Sequence, residues 1–237
     1  MALREEEMAE LYVFGKTAPQ TAANGSWLGA SGLVDGTQIF AGWQQKLINA
    51  GYGFHATIGA FSTPITGGGA GTIIDQDQPE GIISVPSGSA IMPVLFSVQC
   101  HVPLLATDAD EAEILIAVDR LAAYAGDGTV ATETAFNMRT DNPRSSVCTV
   151  ASAATANITN PTLGIELARE AVTGDVQGVA ATTMWTKLGL VYEPKYAPVI
   201  VGPAAVYVYW GGTVAVPGFA QLQWIELPAS IDGLWKN

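Results

Sequence analysis

Two long stretches of the chain contain no Asp, Glu, Lys or Arg, and they constrain its fold most. They cover residues 81–107 and 197–225, and each is longer than the roughly 20 residues of a membrane-spanning helix. The residues that interrupt them are Pro86, Gly88, Pro93 and Pro103 in the first and Gly202, Pro203, Gly211, Gly212, Pro217 and Gly218 in the second. Because proline removes a backbone donor and clashes with the preceding helical turn, neither stretch can form one helix. Both are typical of strands broken by turns, and we expect no membrane partner.

Short apolar segments separated by Gly, Pro, Asn and Asp recur from about residue 51 onward. Turns about 8–12 residues apart are typical of an antiparallel sandwich or barrel. The predicted strands cover residues 53–61, 81–85, 89–102, 112–119, 133–139, 147–152, 163–169, 188–193, 198–201, 204–210 and 219–227. The sequence therefore predicts an all-β domain over residues 51–237.

Two segments near the C-terminus show the alternation of strands whose two faces differ, since successive side chains in a strand point to opposite sides. In the first, Tyr207 and Tyr209 share one face, and Val206, Val208 and Trp210 share the opposite face. In the second, Leu222 and Trp224 lie on one face, and Gln221 and Gln223 lie on the other.

Residues 107–126 fit either a helix or a strand. Asp108 and Glu111 have the spacing of a helical capping box, and an apolar helical face follows them. As a strand, the segment places Ile114, Ile116 and Val118 on one face. Because its neighbours along the chain are strands, we expect a strand here.

The charge balance bears on the class of partner. Lys and Arg total 10 and Asp and Glu total 22, which gives a net charge of −12. Neutralising nucleic-acid phosphates requires Lys and Arg, so we expect no nucleic-acid partner.

Two cysteines, Cys100 and Cys148, lie far apart without a C-x-x-C pair, and we expect buried structural thiols, although a disulfide is also compatible with the sequence. His101 follows Cys100 directly, so the two side chains would point to opposite faces of a strand. The first ten residues carry four Glu and one Arg and no apolar signal-peptide core, which favours synthesis in a reducing compartment.

No combination of residues indicates a catalytic, metal or cofactor site, and we expect a protein that is not an enzyme. His55 and His101 have no companion ligands at metal spacing. The glycine-rich segment 67–71 lacks the lysine and the following helix of a phosphate-binding loop. The acidic clusters at 75–77 and 108–111 do not fit the EF-hand pattern.

Residues 1–50 differ from the rest of the chain, with an acidic start followed by small and polar residues. Their one apolar cluster contains Leu11, Tyr12 and Phe14. A segment with so little internal packing gains order on a neighbour, and we expect an extended arm that attaches the domain to a partner protein. The alternative is that the arm completes the same domain as an edge strand.

Four runs of sequence resemble parts of the jelly-roll virion proteins of tailed bacteriophages. Residues 202–209 and 219–228 resemble their closing strands, residues 86–93 resemble their opening strand, and residues 136–146 resemble the link after their central strands. The likeness covers roughly residues 80–230. It implies an antiparallel two-sheet jelly-roll sandwich, often a homotrimer, that decorates or cements a capsid or sits on a tail. We therefore expect a structural subunit on the virion surface, made in the host cytoplasm, whose partners are copies of itself and the major capsid protein or another virion protein. The resemblance implies that the arm, through Leu11, Tyr12 and Phe14, attaches the domain to its capsid or tail partner.

Aromatic residues are the candidates for contact surfaces. Tyr207, Tyr209 and Trp224 are candidates for the oligomer interface, and the alternative is that they are ordinary core aromatics. A second hypothesis is a receptor- or carbohydrate-binding module of a tail or fibre, in which exposed tryptophans stack on sugars. The tryptophans are Trp27, Trp43, Trp185, Trp210, Trp224 and Trp235. Their exposure separates the two hypotheses, because a sugar site needs an exposed aromatic beside amides or carboxylates.

Overall fold

The computed structural model describes residues 43–67, 74–104, 110–159, 161–174, 184–213 and 215–227. Its one helix is α1 (Trp43–Asn49), and its strands are β1 (Gly53–Ile58), β2 (Ile65–Gly67), β3 (Gly81–Val85), β4 (Ala90–Leu104), β5 (Asp110–Asp119), β6 (Ala131–Glu133), β7 (Phe136–Asn137), β8 (Thr149–Ser152), β9 (Ile165–Gly174), β10 (Met184–Tyr192), β11 (Ile200–Val201), β12 (Ala204–Gly212) and β13 (Val216–Glu226). The prediction of an all-β domain is confirmed. The predicted attachment residues Leu11, Tyr12 and Phe14 lie outside the described residues.

The strands form two antiparallel sheets packed face to face. Sheet I has the order β10-β4-β13-β1-β7, with β11 paired to β4 and β2 paired to β13. Sheet II has the order β6-β8-β3-β12-β5-β9. The chain crosses from one sheet to the other between β2 and β3, β3 and β4, β4 and β5, β6 and β7, β7 and β8, β9 and β10, β11 and β12, and β12 and β13. The two sheets pack as a sandwich, and the predicted antiparallel two-sheet β-sandwich is confirmed.

Within the segment 107–126 that fitted a helix or a strand, Asp110–Asp119 form a strand. β5 pairs with β12 on one side and β9 on the other. Ile114, Ile116 and Val118 face the space between the sheets, as the alternation predicts, whereas Leu115 and Ala117 lie on the other side. Both faces are buried, and pairing to two neighbours outweighs the capping-box signal at its start.

The main core lies between the two sheets. Its largest fully buried side chains are Trp210 from sheet II and Trp224, Phe54 and Phe96 from sheet I. The Phe54 and Trp224 rings stack with their centroids 6.2 Å apart. Fully burying a large apolar side chain contributes about 1.5–3 kcal/mol, so these residues dominate the stability of the sandwich.

A second core covers the outer side of sheet II. Tyr207, Tyr209 and Leu115 point to this side and pack against Ala154 and Ile158 from beyond β8. The covering segments are residues 74–80, 120–130, 153–159 and 161–163. β3 and β12 are therefore buried on both faces, which explains their nearly continuous apolar sequence.

Two polar contacts anchor β12 beneath residues 74–80. The carboxylate of Glu80, which is 6% exposed, accepts a hydrogen bond from the backbone N–H of Trp210 at 2.9 Å. The hydroxyl of Tyr209 donates to the carbonyl oxygen of Gln76 at 2.9 Å. Buried polar groups need such partners, so the contacts hold this covering segment in place.

Candidate binding face

The outer side of sheet I is exposed, unlike that of sheet II. In each of its four long strands, residues of the core alternate with residues whose side chains point to the solvent side of the sheet. We call these outward positions the open face: His55 and Thr57 of β1, Leu95, Ser97, Gln99 and His101 of β4, Lys187, Gly189 and Val191 of β10, and Pro217, Phe219, Gln221 and Gln223 of β13. The open face is thus a sheet surface that the described covering segments do not cross.

Lys187 is the only charged residue on the open face. This contrasts with the net charge of −12 carried by the whole chain. Amides, hydroxyls and apolar side chains make up the rest of the surface. An uncharged ligand or protein surface therefore fits this face without having to desolvate charged groups.

An apolar pocket lies at the end of the open face nearest the start of β13. Its volume is about 340 Å³, and its lining is Phe61, Pro64, His101, Pro217 and Phe219. Phe61 is 74% exposed, and its ring meets the His101 imidazole edge-on with 5.6 Å between centroids. Such a concave apolar pocket beside an exposed aromatic can accept an apolar side chain of a partner.

A polar pocket lies further along β13, on the same open face. Its volume is about 350 Å³, and its lining is His55, Ala56, Thr57, Asn137, Met138, Thr140, Gln221 and Gln223. Register explains the arrangement, because His55 pairs with Gln223 and Thr57 with Gln221. Directly opposite residues in antiparallel strands lie side by side, so two amides, an imidazole and a hydroxyl converge here.

The wall of the polar pocket is tied to β1 and α1. The side-chain amide of Asn137 donates to the carbonyl oxygen of Gly51 at 2.9 Å. The backbone N–H of Met138 donates to the carbonyl oxygen of Gly53, and the Arg139 guanidinium donates to that of Asn49 at 2.7 Å. These contacts fix the chain where it leaves β7 and hold the wall against the sheet.

A buried carboxylate secures the next part of this segment. Glu226, which is 1% exposed, accepts hydrogen bonds from the Ser146 hydroxyl at 2.6 Å and the Val147 backbone N–H at 2.9 Å. The Arg144 guanidinium stacks over the Tyr52 ring at 4.1 Å from its centroid. The segment between β7 and β8 is therefore attached to the end of β13 and to the turn before β1.

The three candidate interface residues lie inside the chain itself. Tyr207 is 3% exposed, Tyr209 is 1% exposed and Trp224 is fully buried. The two tyrosines lie under the covering segments, and Trp224 faces the main core. The structure corrects this assignment, because these aromatics meet residues of their own chain and present no surface to a copy. The alternative, ordinary core aromatics, is the correct one.

The tryptophans offer no exposed sugar platform in the described part of the chain. Trp210 and Trp224 are both fully buried. The Trp210 indole N–H donates to the carbonyl oxygen of Ile65 at 3.2 Å. Trp27 and Trp235 lie outside the described residues, as do the side chains of Trp43 and Trp185.

The cysteines are free and buried, as predicted. Burial raises the pKa of both the Cys100 and Cys148 thiols, with nearby Glu80 adding to the effect at Cys100 and Glu226 at Cys148. Cys100 faces the main core, while His101 points to the open face, so the predicted opposition of the two is confirmed.

The structure describes only some of the residues in the remaining candidate ion sites. Asp75 accepts a hydrogen bond from the backbone N–H of Asp77 at 3.0 Å, which is a turn contact within that cluster. The region 108–111 and the glycine-rich loop lie partly outside the described residues. Within the part that the structure describes, no three His, Cys, Asp or Glu residues are grouped to hold a metal ion. No helix among the described elements is long and apolar enough to cross a membrane.

Sequence reasoning missed the two pockets. The alternation of Gln221 and Gln223 with Leu222 and Trp224 predicts an outward amide row, and the structure confirms it. The other walls come from β1 and from the segment after β7, which are distant in sequence. Only the strand register brings these parts together.

No protein family model matches the chain, and no curated protein matches it.

Proposed function

We propose that the protein is a non-enzymatic structural subunit of a virion, a capsid decoration, cement or minor capsid component. In this role it associates with copies of itself as a homotrimer and binds the major capsid protein or another virion protein. The resemblance of its strand sequences to jelly-roll virion proteins supports the proposal. The confirmed two-sheet fold is the one that this resemblance implies.

The difference between the two outer sheet faces carries the proposal. Sheet II is covered by segments of its own chain, whereas the open face of sheet I has one charge and an apolar pocket. Protein interfaces are depleted in charge at their centre and anchored by aromatic residues in pockets. Phe61 and Phe219 have this character, and we assign them to the contact with a second copy.

Light scattering of the purified chain tests the self-association. We expect the mass of a trimer, and we expect Phe61→Ser to shift the mass toward the monomer. Phe61 is 74% exposed, so its replacement leaves the core intact. The matched control is Tyr196→Ser, since Tyr196 is 83% exposed and lies off the open face. A monomeric wild-type chain, or equal masses for all three proteins, contradicts the proposed contact.

The virion assignment needs a separate measurement. Antibodies against the chain, imaged on native particles by electron microscopy, should label the capsid shell in a regular pattern. Label at the tail or fibre tip instead favours the receptor-binding hypothesis. Particles without label contradict a virion location.

A further inference from the structure

We propose that the polar pocket is a binding site for a neutral saccharide. This binding activity is additional to the structural role and stands on different residues from the apolar pocket. The site is the convergence of Gln221, Gln223, His55 and Thr57 on the open face.

The polar side chains of the pocket are free to bind a ligand. Gln221, Gln223, Thr57 and Thr140 make no side-chain hydrogen bond to any residue that the structure describes. Asn137 differs, because its amide already donates to Gly51 and accepts from the backbone of Arg139. An amide or hydroxyl both donates and accepts, which matches sugar hydroxyls that do the same.

The charge of the pocket selects the class of ligand. None of the residues that line it is an Asp, Glu, Lys or Arg. Arg139 is near in sequence, but its guanidinium pairs with Asp141 at 2.7 Å. A phosphate or carboxylate would lose its hydration without gaining a cation, whereas an uncharged polyol pays no such penalty.

Apolar groups accompany the polar ones. Met138 lines the pocket together with the two glutamines. Phe136 is 57% exposed and stacks on the His55 ring with 5.6 Å between centroids, on the side of β1 away from Gln223, so it supports the imidazole without lining the pocket. Pyranose rings combine hydroxyl edges with an apolar C–H face, so Met138 can pack against that face while the glutamines bind the hydroxyls.

The pocket is preorganised for this ligand. Strand pairing fixes β1 and β13, and the hydrogen bonds of Asn137, Met138 and Arg139 fix the wall. Its volume of about 350 Å³ lies within the range of small-ligand sites, and its lining is already in place without rearrangement. Preorganisation lowers the entropic cost of binding.

Titration of the isotope-labelled full chain, followed by NMR, tests the site. The probes are glucose, galactose, mannose and N-acetylglucosamine, with inorganic phosphate as a charged comparison. We expect at least one sugar to shift amide signals of β1, β13 and the segment after β7. The double variant Gln221→Ala/Gln223→Ala should weaken that binding about tenfold or more, because each amide supplies a hydrogen bond.

The matched control is Gln45→Ala, which removes an exposed glutamine of α1 outside the pocket. It should bind the sugar as the wild type does. If none of the four sugars shifts these signals, the saccharide site is wrong. Equal binding by the double variant, or tighter binding of phosphate, also overturns it. Phe61 is not altered in either variant, so both should keep the mass of the wild type in light scattering, and a loss of sugar binding at unchanged mass is distinguished from a failure of self-association.

Discussion

The carboxylate of Asp119 accepts a hydrogen bond from the backbone N–H of Thr162 at 2.8 Å. Its other oxygen accepts hydrogen bonds from the backbone N–H groups of Leu121 at 2.8 Å and Ala122 at 3.3 Å. Asp119 ends β5 and is 4% exposed. One side chain thus holds two separate covering segments on the outer side of sheet II.

Replacing this carboxylate should destabilise the fold. We expect Asp119→Ala to lower the free energy of unfolding by about 2–3 kcal/mol, because three backbone N–H groups lose their hydrogen bonds to a buried carboxylate. Urea denaturation measures the change. The control Asp141→Ala, which removes an exposed pair with Arg139, should cost less than about 1 kcal/mol. Equal effects of the two variants would show that Asp119 does not anchor the segments.

Alkaline pH should open the second core. Burial, reinforced by the nearby Asp119 carboxylate, raises the pKa of Tyr207 from 10.0 to about 12. A raised folded-state pKa means that the neutral form stabilises the fold fully below pH 10.0, and this contribution is lost as pH rises toward about 12. Unfolding midpoints across this interval should fall less for Tyr207→Phe than for the wild type. Identical falls would contradict the prediction.

Acid should loosen another covering segment. The Thr159 hydroxyl donates to the Asp127 carboxylate, and this contact lowers the pKa of Asp127 below 3.8. The stabilisation is therefore present above pH 3.8 and lost as pH falls through the lowered pKa. The hydrogen-exchange protection factor of the Thr159 amide, which donates to Asp127 at 2.8 Å, should fall over that interval. In Thr159→Val this loss of protection should begin at a higher pH, and an unchanged profile would contradict the role of the hydroxyl.

The close approach of β2 to β12 should exclude a side chain at Gly67. A Cβ there would lie 2.1 Å from the carbonyl oxygen of Trp210, so backbone atoms must move. We expect Gly67→Ala to cost about 1–3 kcal/mol in thermal or urea unfolding. Gly189→Ala is the control, because its Cβ would lie 3.8 Å from its nearest neighbour, the carbonyl oxygen of Val98. Equal stability of the two variants would contradict the prediction.

Local alternation predicts which side chains share a face but not what covers that face. It separates Tyr207 and Tyr209 from Val206 and Val208, and the structure confirms this separation. The cover over the tyrosines comes from segments that are distant in sequence, including Ile158. An intramolecular cover and an interface between copies produce the same alternation in β12, and this is why the interface assignment was wrong.

Short elements also escape sequence reasoning. α1 has seven residues with no acidic residue in its first turn, and β2 has three residues, so neither carries a strong periodic signal. The single strand predicted over residues 133–139 is two short strands, because β6 pairs in sheet II and β7 pairs in sheet I. The chain crosses between the sheets there, and periodicity does not report such a crossing.

The pairing of β1 with β13 sets the order in which the protein can mature during translation. Gly53 lies opposite Ile225, so the earliest described strand meets its principal neighbour only after the final one leaves the ribosome. Until then the apolar side chains of Phe54 and Ile58 have no sheet to join, and only the two residues of β7 can pair with β1. Closure must therefore wait until β13 has emerged, and shorter nascent chains expose apolar strand surface that favours aggregation.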